Sequence, residues 1–426
     1  MRRACLMLFL ALSALTLVTA AEPPRPPAGP TPLATSCAMC HAEMDGDLQD
    51  PVTRARDDIH FQKGLSCHDC HGGDPLAMDD MDAAHSRARG WKGKPARTAI
   101  PGLCARCHSD AVFMKRFDPH ARVDQLSEYL TSRHGKRLSA GDDRVAVCVD
   151  CHGVHGIRAV SDPRSSVYPT NVADTCGRCH TNVDLMRSYG IAADQFGDYK
   201  KSVHAHALYD GGDLSAPTCN DCHGSHGAVP PGVDSVASIC GSCHGREATL
   251  FRETEEKKKI DLSPCIRCMV CHGNHAVLRP TDDMLGVGPK STCTGCHSEG
   301  EKEYVAAEQM GAAVQKLTLT LHEAHEILDR AERTGMEVSA DRFALQKGRE
   351  QLVETKVLAH SFDQERFMKA AQEGLDVAAA GIAAGHRAFS ELRFRRVGLA
   401  LSLLVIIAVI VALTLKVRQI EKRSVR

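Results

Sequence analysis

Aromatic side chains are scarce in this chain of 426 residues, which has one tryptophan and a total aromatic content of 4%. Net charge is also nearly absent: the formal value of −1 gives no basic excess that would favour a nucleic-acid partner. Cysteine is abundant, at 20 residues. Because the chain is far longer than a small disulfide scaffold, these thiols must serve another purpose.

The pentapeptide C-x-x-C-H occurs nine times and contains 18 of the 20 cysteines. It is the signature of c-type haem attachment, in which both thiols bind the haem and the histidine becomes the proximal iron ligand. Zinc knuckles do not explain a histidine at the fifth position of every copy. The sequence predicts nine covalently attached haem c groups, held by Cys37, Cys40, Cys67, Cys70, Cys104, Cys107, Cys148, Cys151, Cys176, Cys179, Cys219, Cys222, Cys240, Cys243, Cys268, Cys271, Cys293 and Cys296. The proximal ligands are then His41, His71, His108, His152, His180, His223, His244, His272 and His297.

The motifs also form an internal repeat. One unit is Ser-x-His, then C-x-x-C-H-G-x-H-G, then C-G-x-C-H, and it occurs at 132–180 and again at 202–244. A third copy at 268–297 lacks the leading Ser-x-His. Such repetition predicts two-haem units strung in a row, with haem as the core and only short helices around each motif.

The second axial ligand decides what each iron can do: a second histidine saturates it for electron transfer, whereas an open position permits substrate chemistry. The histidine three residues after the proximal one is too close to reach its own iron, so we expect it to bind a neighbouring haem. The Ser-x-His histidines and three histidines from segments between motifs are the next candidates. The predicted distal ligands are His60, His85, His120, His134, His155, His204, His226 and His275, with His360 preferred over His325 as the ninth.

Three further side chains have other predicted roles. His68, inside its own motif, is expected to face solvent, and His206 is expected to be redundant with His204. Cys265 lies three residues before Cys268, the first cysteine of a complete motif, and has no predicted intramolecular partner. It is an inert buried thiol, an intermolecular or reactive thiol, or an iron ligand near the unit without Ser-x-His.

The two ends of the chain are apolar. Residues 1–20 have the basic start, apolar run and small residues of a secretory signal peptide, and residues 21–36 form a proline-rich linker. Residues 397–415 carry no charge and are long enough to span a bilayer. A cleaved signal would place the haem domain, residues 37–299, in the periplasm and the tail, residues 416–426, in the cytoplasm.

Residues 300–396 contain no cysteine, and their apolar residues recur in steps of three and four. Thr334 and Gly335 interrupt this pattern, which predicts a long helical hairpin whose second arm leads to the membrane. The expected fold class is therefore mainly α with much irregular structure: a haem-packed region, a helical hairpin and one C-terminal transmembrane helix.

With these motifs, residues 37–297 resemble the periplasmic multihaem cytochromes c, in particular those with doubled C-x-x-C-H motifs and the cytochrome c3-like group. The resemblance implies bis-histidine haems in close succession and a role in respiratory electron transfer. The hairpin is similar, more distantly, to the helices that follow the haems in cytochrome c nitrite reductases and hydroxylamine oxidoreductases. The chain has no C-x-x-C-K motif, which marks the catalytic haem of the nitrite reductases.

The leading hypothesis is a membrane-anchored electron carrier rather than an enzyme. It would relay electrons between a quinone-linked partner in the membrane and acceptors in the periplasm, and it could oligomerise through the hairpin. The alternative is a multihaem oxidoreductase acting on nitrite, hydroxylamine or a sulfur compound at one open haem. A third possibility is a structural subunit whose hairpin docks on a larger respiratory complex.

Overall fold

The computed structural model describes residues 34–232, 234–254 and 268–424, and these residues form helices and loops without a strand. The chain divides into two compact units, Met1–Asn171 and Val172–Arg426. The helical content of the described residues confirms the mainly α class. The predicted signal peptide, nearly all of the proline-rich linker and Cys265 lie outside the described residues.

Short helices dominate the region that contains the motifs. The α-helices are Ser36–Ala42, Asp50–Ala55, Ile59–Gln62, Cys67–His71, Met81–Ala84, Ile100–His108, Ala111–Met114, Gln125–Thr131, Arg133–Ser139, Cys148–His152, Pro169–His180, Val183–Ser188, Gln195–Lys200, Val203–Tyr209, Cys219–His223, Gly245–Glu253 and Cys268–His272. Turns of 3₁₀-helix are Gly46–Leu48, Arg87–Arg89, Arg97–Ala99, Val236–Ser242, Asp282–Met284 and Cys293–Gly295.

Three of the motif helices begin with the same polar contact. The residue before the second cysteine is Asp69, Asp150 or Asp221, and its carboxylate accepts the backbone N–H of the residue that precedes the helix, at 2.6 to 2.8 Å. An acidic side chain in the first turn satisfies a free N–H and interacts favourably with the positive end of the helix dipole. This contact supports a single helical turn that would be marginal by itself.

The serine of each Ser-x-His segment starts a helix. The hydroxyls of Ser132 and Ser202 accept the backbone N–H groups of Gly135 and Ala205 at 3.0 and 3.1 Å. Both serines are buried N-caps, and each places the histidine at the second helical position. The repeat therefore specifies a local structure that presents a histidine.

Three long helices form a bundle at the C-terminal end of the second unit. The first bundle helix is Lys302–Arg333, the second is Ser339–Leu358 and the third is Gln364–Ser424, and each packs on the other two. The predicted hairpin thus differs from the structure, because its second arm is divided. A 3₁₀ turn at Ala359–Ser361 and a left-handed Phe362 at φ 48° reverse the chain there.

Small residues allow the bundle helices to approach closely. A β-carbon added at Gly385 would lie 2.7 Å from Ile327, and one added at Gly348 would lie 2.6 Å from Leu321. Residues 397–415 of the third bundle helix are exposed. Among the described residues, this helix is the one long and apolar enough to cross a membrane, judged by length and composition.

Phe367 anchors the third bundle helix and is fully buried beside Val314 and Leu358. We expect Phe367→Ala to destabilise the bundle by about 3–5 kcal/mol, because it removes a large buried side chain and leaves a cavity. Phe343, on the second bundle helix, is 83% exposed, and Phe343→Ala should change stability by less than about 0.5 kcal/mol. Thermal unfolding of both variants in detergent measures the difference; equal midpoints would contradict the packing described.

Candidate functional site

Six of the nine predicted proximal histidines face another histidine within the described residues. The ring centroids of these six pairs are 5.9 to 6.4 Å apart, although the partners come from distant parts of the chain. Each pair combines one C-x-x-C-H histidine with one predicted distal histidine. The pairs are His41 with His85, His71 with His155, His108 with His60, His223 with His275, His244 with His204, and His272 with His360.

This spacing fits an iron ion between two imidazoles. A metal–imidazole nitrogen bond is about 2.0 Å, so two rings on opposite sides of one metal have centroids roughly 6 Å apart. Aromatic pairs without a metal also lie about 4.5 to 7 Å apart, so the argument rests on the recurrence of this spacing beside six C-x-x-C-H motifs. Two adjacent cysteines accompany one ring of every pair, so the residues present suit covalently attached haem with two histidine ligands.

Backbone carbonyl oxygens hold one ring nitrogen of several paired histidines. The Nδ1 atoms of His41, His71, His85 and His360 lie 2.9 to 3.2 Å from the carbonyl oxygens of Leu48, Gly93, Met81 and Val357, respectively. A carbonyl acceptor fixes the proton on Nδ1 and leaves Nε2 free to bind metal. The structure thus orients these rings through their backbone contacts.

Burial keeps several paired rings neutral. Desolvation, together with a nearby histidine, lowers the pKa of His155, His204, His223 and His272 below the ordinary value. A neutral imidazole is the form that binds a metal, because the protonated ring has no free lone pair. These four side chains are therefore ready to bind metal at neutral pH.

His60 differs from the other distal candidates because a carboxylate holds it. Its Nδ1 lies 3.0 Å from Oδ1 of Asp58, a residue that is 4% exposed. The Asp58 carboxylate also accepts the backbone N–H groups of His60, Gly156 and Ile157, each at 2.9 Å. Burial alone would raise the pKa of Asp58, but hydrogen bonds from His60 and Ile157 more than offset it and lower that pKa.

Consecutive motifs are spatial neighbours within each unit. The first cysteines of two successive motifs lie beside each other in four cases: Cys37 with Cys67, Cys104 with Cys148, Cys176 with Cys219, and Cys240 with Cys268. The described cysteines form no disulfide. These four contacts divide the first eight motifs into doublets.

Other contacts link one doublet to the next motif. Arg106 donates to the carbonyl oxygen of Cys70 at 2.9 Å, and the Cys271 thiol is hydrogen-bonded to Thr292, directly before the ninth motif. The motif helix Cys219–His223 packs on the turn Val236–Ser242. The first four motifs therefore follow one another in space in the first unit, and the last five do so in the second.

The remaining distal candidates lie in different surroundings. His134 is at the start of the helix Arg133–Ser139, and His226 is in the loop after Cys219–His223. His120 is exposed, and its backbone N–H donates to Asp118 at 2.9 Å. Among the described residues, no other histidine ring lies against His120.

Two histidines not chosen as ligands have charged partners instead of a second ring. His206 faces Asp210 at 2.6 Å, and His325 lies between Asp329 and Arg349. The side chain of His68 is only partly exposed, and its Nδ1 atom is buried without a hydrogen-bond partner. This position differs from the expected solvent-facing one.

Two features of the sites were absent from the sequence prediction. Asp58 stands two residues before His60, and the Asp-x-His spacing is the available sequence signal for it. Trp91, the single tryptophan, lies beside two ligand candidates from different pairs, 4.6 Å from His85 and 6.0 Å from His71 between ring centroids. No sequence pattern predicts this position.

Comparison with known proteins gives one informative similarity. The chain is 26% identical over 200 residues to the multiheme cytochrome MtrA of Shewanella baltica (strain OS185), a stretch covering 46% of this chain and 47% of the relative. The chain thus spans about half the length of the curated relative that it matches. No family model matches it, and no solved structure matches it at a significant level.

Proposed function

We propose that this chain is a multihaem c-type cytochrome, anchored in the cytoplasmic membrane by residues 397–415, that relays electrons between a quinone-linked membrane partner and periplasmic acceptors. The observation that carries this proposal is the set of six histidine pairs at 5.9 to 6.4 Å, each beside a C-x-x-C-H motif. The similarity to a multiheme cytochrome supports the same cofactor class.

Each side chain has a defined task in such a carrier. The 18 motif cysteines would attach nine haems, which supply irons that change oxidation state. The six histidine pairs would each hold one iron from both sides, and their neutral, oriented rings need little rearrangement when the charge changes. No general acid or base is required.

The order of the motifs supports a relay. Because successive motifs are neighbours within each unit, redox sites would follow one another in chain order. The loop before the ninth motif packs on the bundle, where Lys356 pairs with Asp282 at 2.6 Å and Gly311 contacts Gly286. The third bundle helix then continues into the apolar segment, so the ninth motif is joined through the bundle to the proposed anchor.

Two measurements test the proposal. The intact mass of the full chain, purified from membranes in mild detergent, should exceed the processed polypeptide by nine haems. A truncation before residue 397 should release the protein from the membrane with the same haem content. A mass without attached haem, or a full chain recovered from the soluble fraction, would contradict the proposed function.

A further inference from the structure

The ninth motif differs from six of the others in what faces its histidine. In the described part of the chain, no other histidine ring lies against His297, whereas six proximal histidines have a partner ring about 6 Å away. Its contact is instead with a carboxylate: Nδ1 lies 3.3 Å from Oε2 of Glu301. His297 therefore has a group to orient it but no opposing imidazole.

The repeat explains this difference. In the second repeat unit, the Ser-x-His histidine, His204, faces the histidine of the second motif, His244. The third unit has no Ser-x-His, and no histidine occurs between His244 and His272. The equivalent partner for His297 is therefore missing from the sequence itself.

The bundle supplies a substitute histidine at only one of the two motifs in the third unit. His360, in the turn between the second and third bundle helices, faces His272 at 6.0 Å with nearly parallel rings. The same histidine cannot also serve His297. The first motif of this unit thus acquires a replacement ligand, and the second does not.

The surroundings of His297 are open and acidic. Its side chain is 41% exposed, and Glu301 and Glu303 bring carboxylate oxygens within 4.8 Å of a ring nitrogen. The Glu301 carboxylate is also oriented, because Oε2 accepts the backbone N–H of Ser298 at 3.1 Å directly before the first bundle helix. A carboxylate on the outer nitrogen makes a histidine ligand more basic.

We propose that the ninth motif is a ligand-exchange site, at which His297 occupies one axial position and the opposite position accepts a small inorganic molecule that binds iron directly. Glu301 acts as the positioning residue of His297. This inference rests on the proposed function, because it requires haem at the motif. It makes the last site of the second unit chemically distinct from the histidine-paired sites before it.

The full-length protein in detergent provides the test. Electron paramagnetic resonance of the oxidised protein should show one high-spin haem per chain, and carbon monoxide should bind the reduced protein at one equivalent per chain. Nine attached haems that are all low-spin and do not bind carbon monoxide would overturn this inference and leave the proposed function intact. A chain without attached haem would remove the proposed function itself.

Cys265, outside the described residues, allows a sharper control. The variant Cys265→Ala should show the same high-spin signal and the same carbon monoxide stoichiometry as the unmodified chain. If the unmodified chain is entirely low-spin and only Cys265→Ala acquires a high-spin haem, a thiolate occupies the opposite position and the open site is disproved.

Glu301→Gln tests the positioning role. Removing the negative charge should shift the reduction potential of the high-spin haem to a more positive value and leave the low-spin set unchanged. The matched variant Glu308→Gln removes an exposed carboxylate from the same helix and should leave that potential unchanged. Equal potentials in the two variants would show that Glu301 does not act through His297.

Discussion

Replacing His204 by alanine is expected to convert one low-spin haem to high-spin, whereas replacing His206, two residues away, is expected to change nothing. His204 lies 6.4 Å from His244 between ring centroids, so it is placed to hold the opposite side of the same iron. His206 points to Asp210 instead and is 63% exposed. Only the first substitution would remove a proposed axial ligand.

The measurement is a spin count by electron paramagnetic resonance on the oxidised full-length protein. If the ninth site is open, His204→Ala should raise the number of high-spin haems from one to two per chain, and one haem should move to a more positive potential. His206→Ala should give the unmodified spectrum. Identical spectra from the two variants would mean that His204 is not an axial ligand.

Replacing Asp58 by alanine is expected to cost about 3–5 kcal/mol of stability, the range for breaking a buried, hydrogen-bonded charged group. Its carboxylate satisfies three backbone N–H groups and the Nδ1 atom of His60, and these donors would be left unpaired. The neighbouring Asp57 is 53% exposed and pairs with Arg158 at 2.6 Å. Asp57→Ala should cost at most about 1 kcal/mol.

Denaturant titration of both variants, followed by haem absorbance, compares the losses of stability.

The contribution of Asp58 to stability also depends on pH, because its folded-state pKa lies below the ordinary 3.8. A depressed carboxyl pKa gives stability that is complete above the unfolded value and is lost as the pH falls through the folded value. The two variants should therefore converge in stability in strong acid. Equal costs at neutral pH would refute the role of Asp58.

The candidate ligands could be predicted because short local sequence patterns specify them. The five residues of C-x-x-C-H specify two thiols and a histidine within one helical turn, and Ser-x-His specifies a capped helix that presents a ring. The prediction of His360 as a distal candidate from its position on an apolar seam agrees with its place opposite His272. Its assignment as an iron ligand remains a proposal.

The break in the second arm of the predicted hairpin was harder to predict from the sequence. Apolar periodicity continues on both sides of residues 359–363, so the pattern alone favours one long arm. The break depends on a backbone reversal at Phe362, which adopts a left-handed conformation without being glycine. Packing of the third bundle helix on both others offsets the cost of that conformation.

By itself, the sequence determined the number and spacing of the motifs, the doubled repeat, the missing Ser-x-His of the third unit and the apolar segment at 397–415. These features are local, and each is complete within a few consecutive residues. Only the tertiary structure decided which histidine faces which, as for His71 with His155 and His60 with His108. A haem iron with two histidine ligands would be held from opposite sides, and the second ring of each pair comes from whichever distant segment the fold brings there.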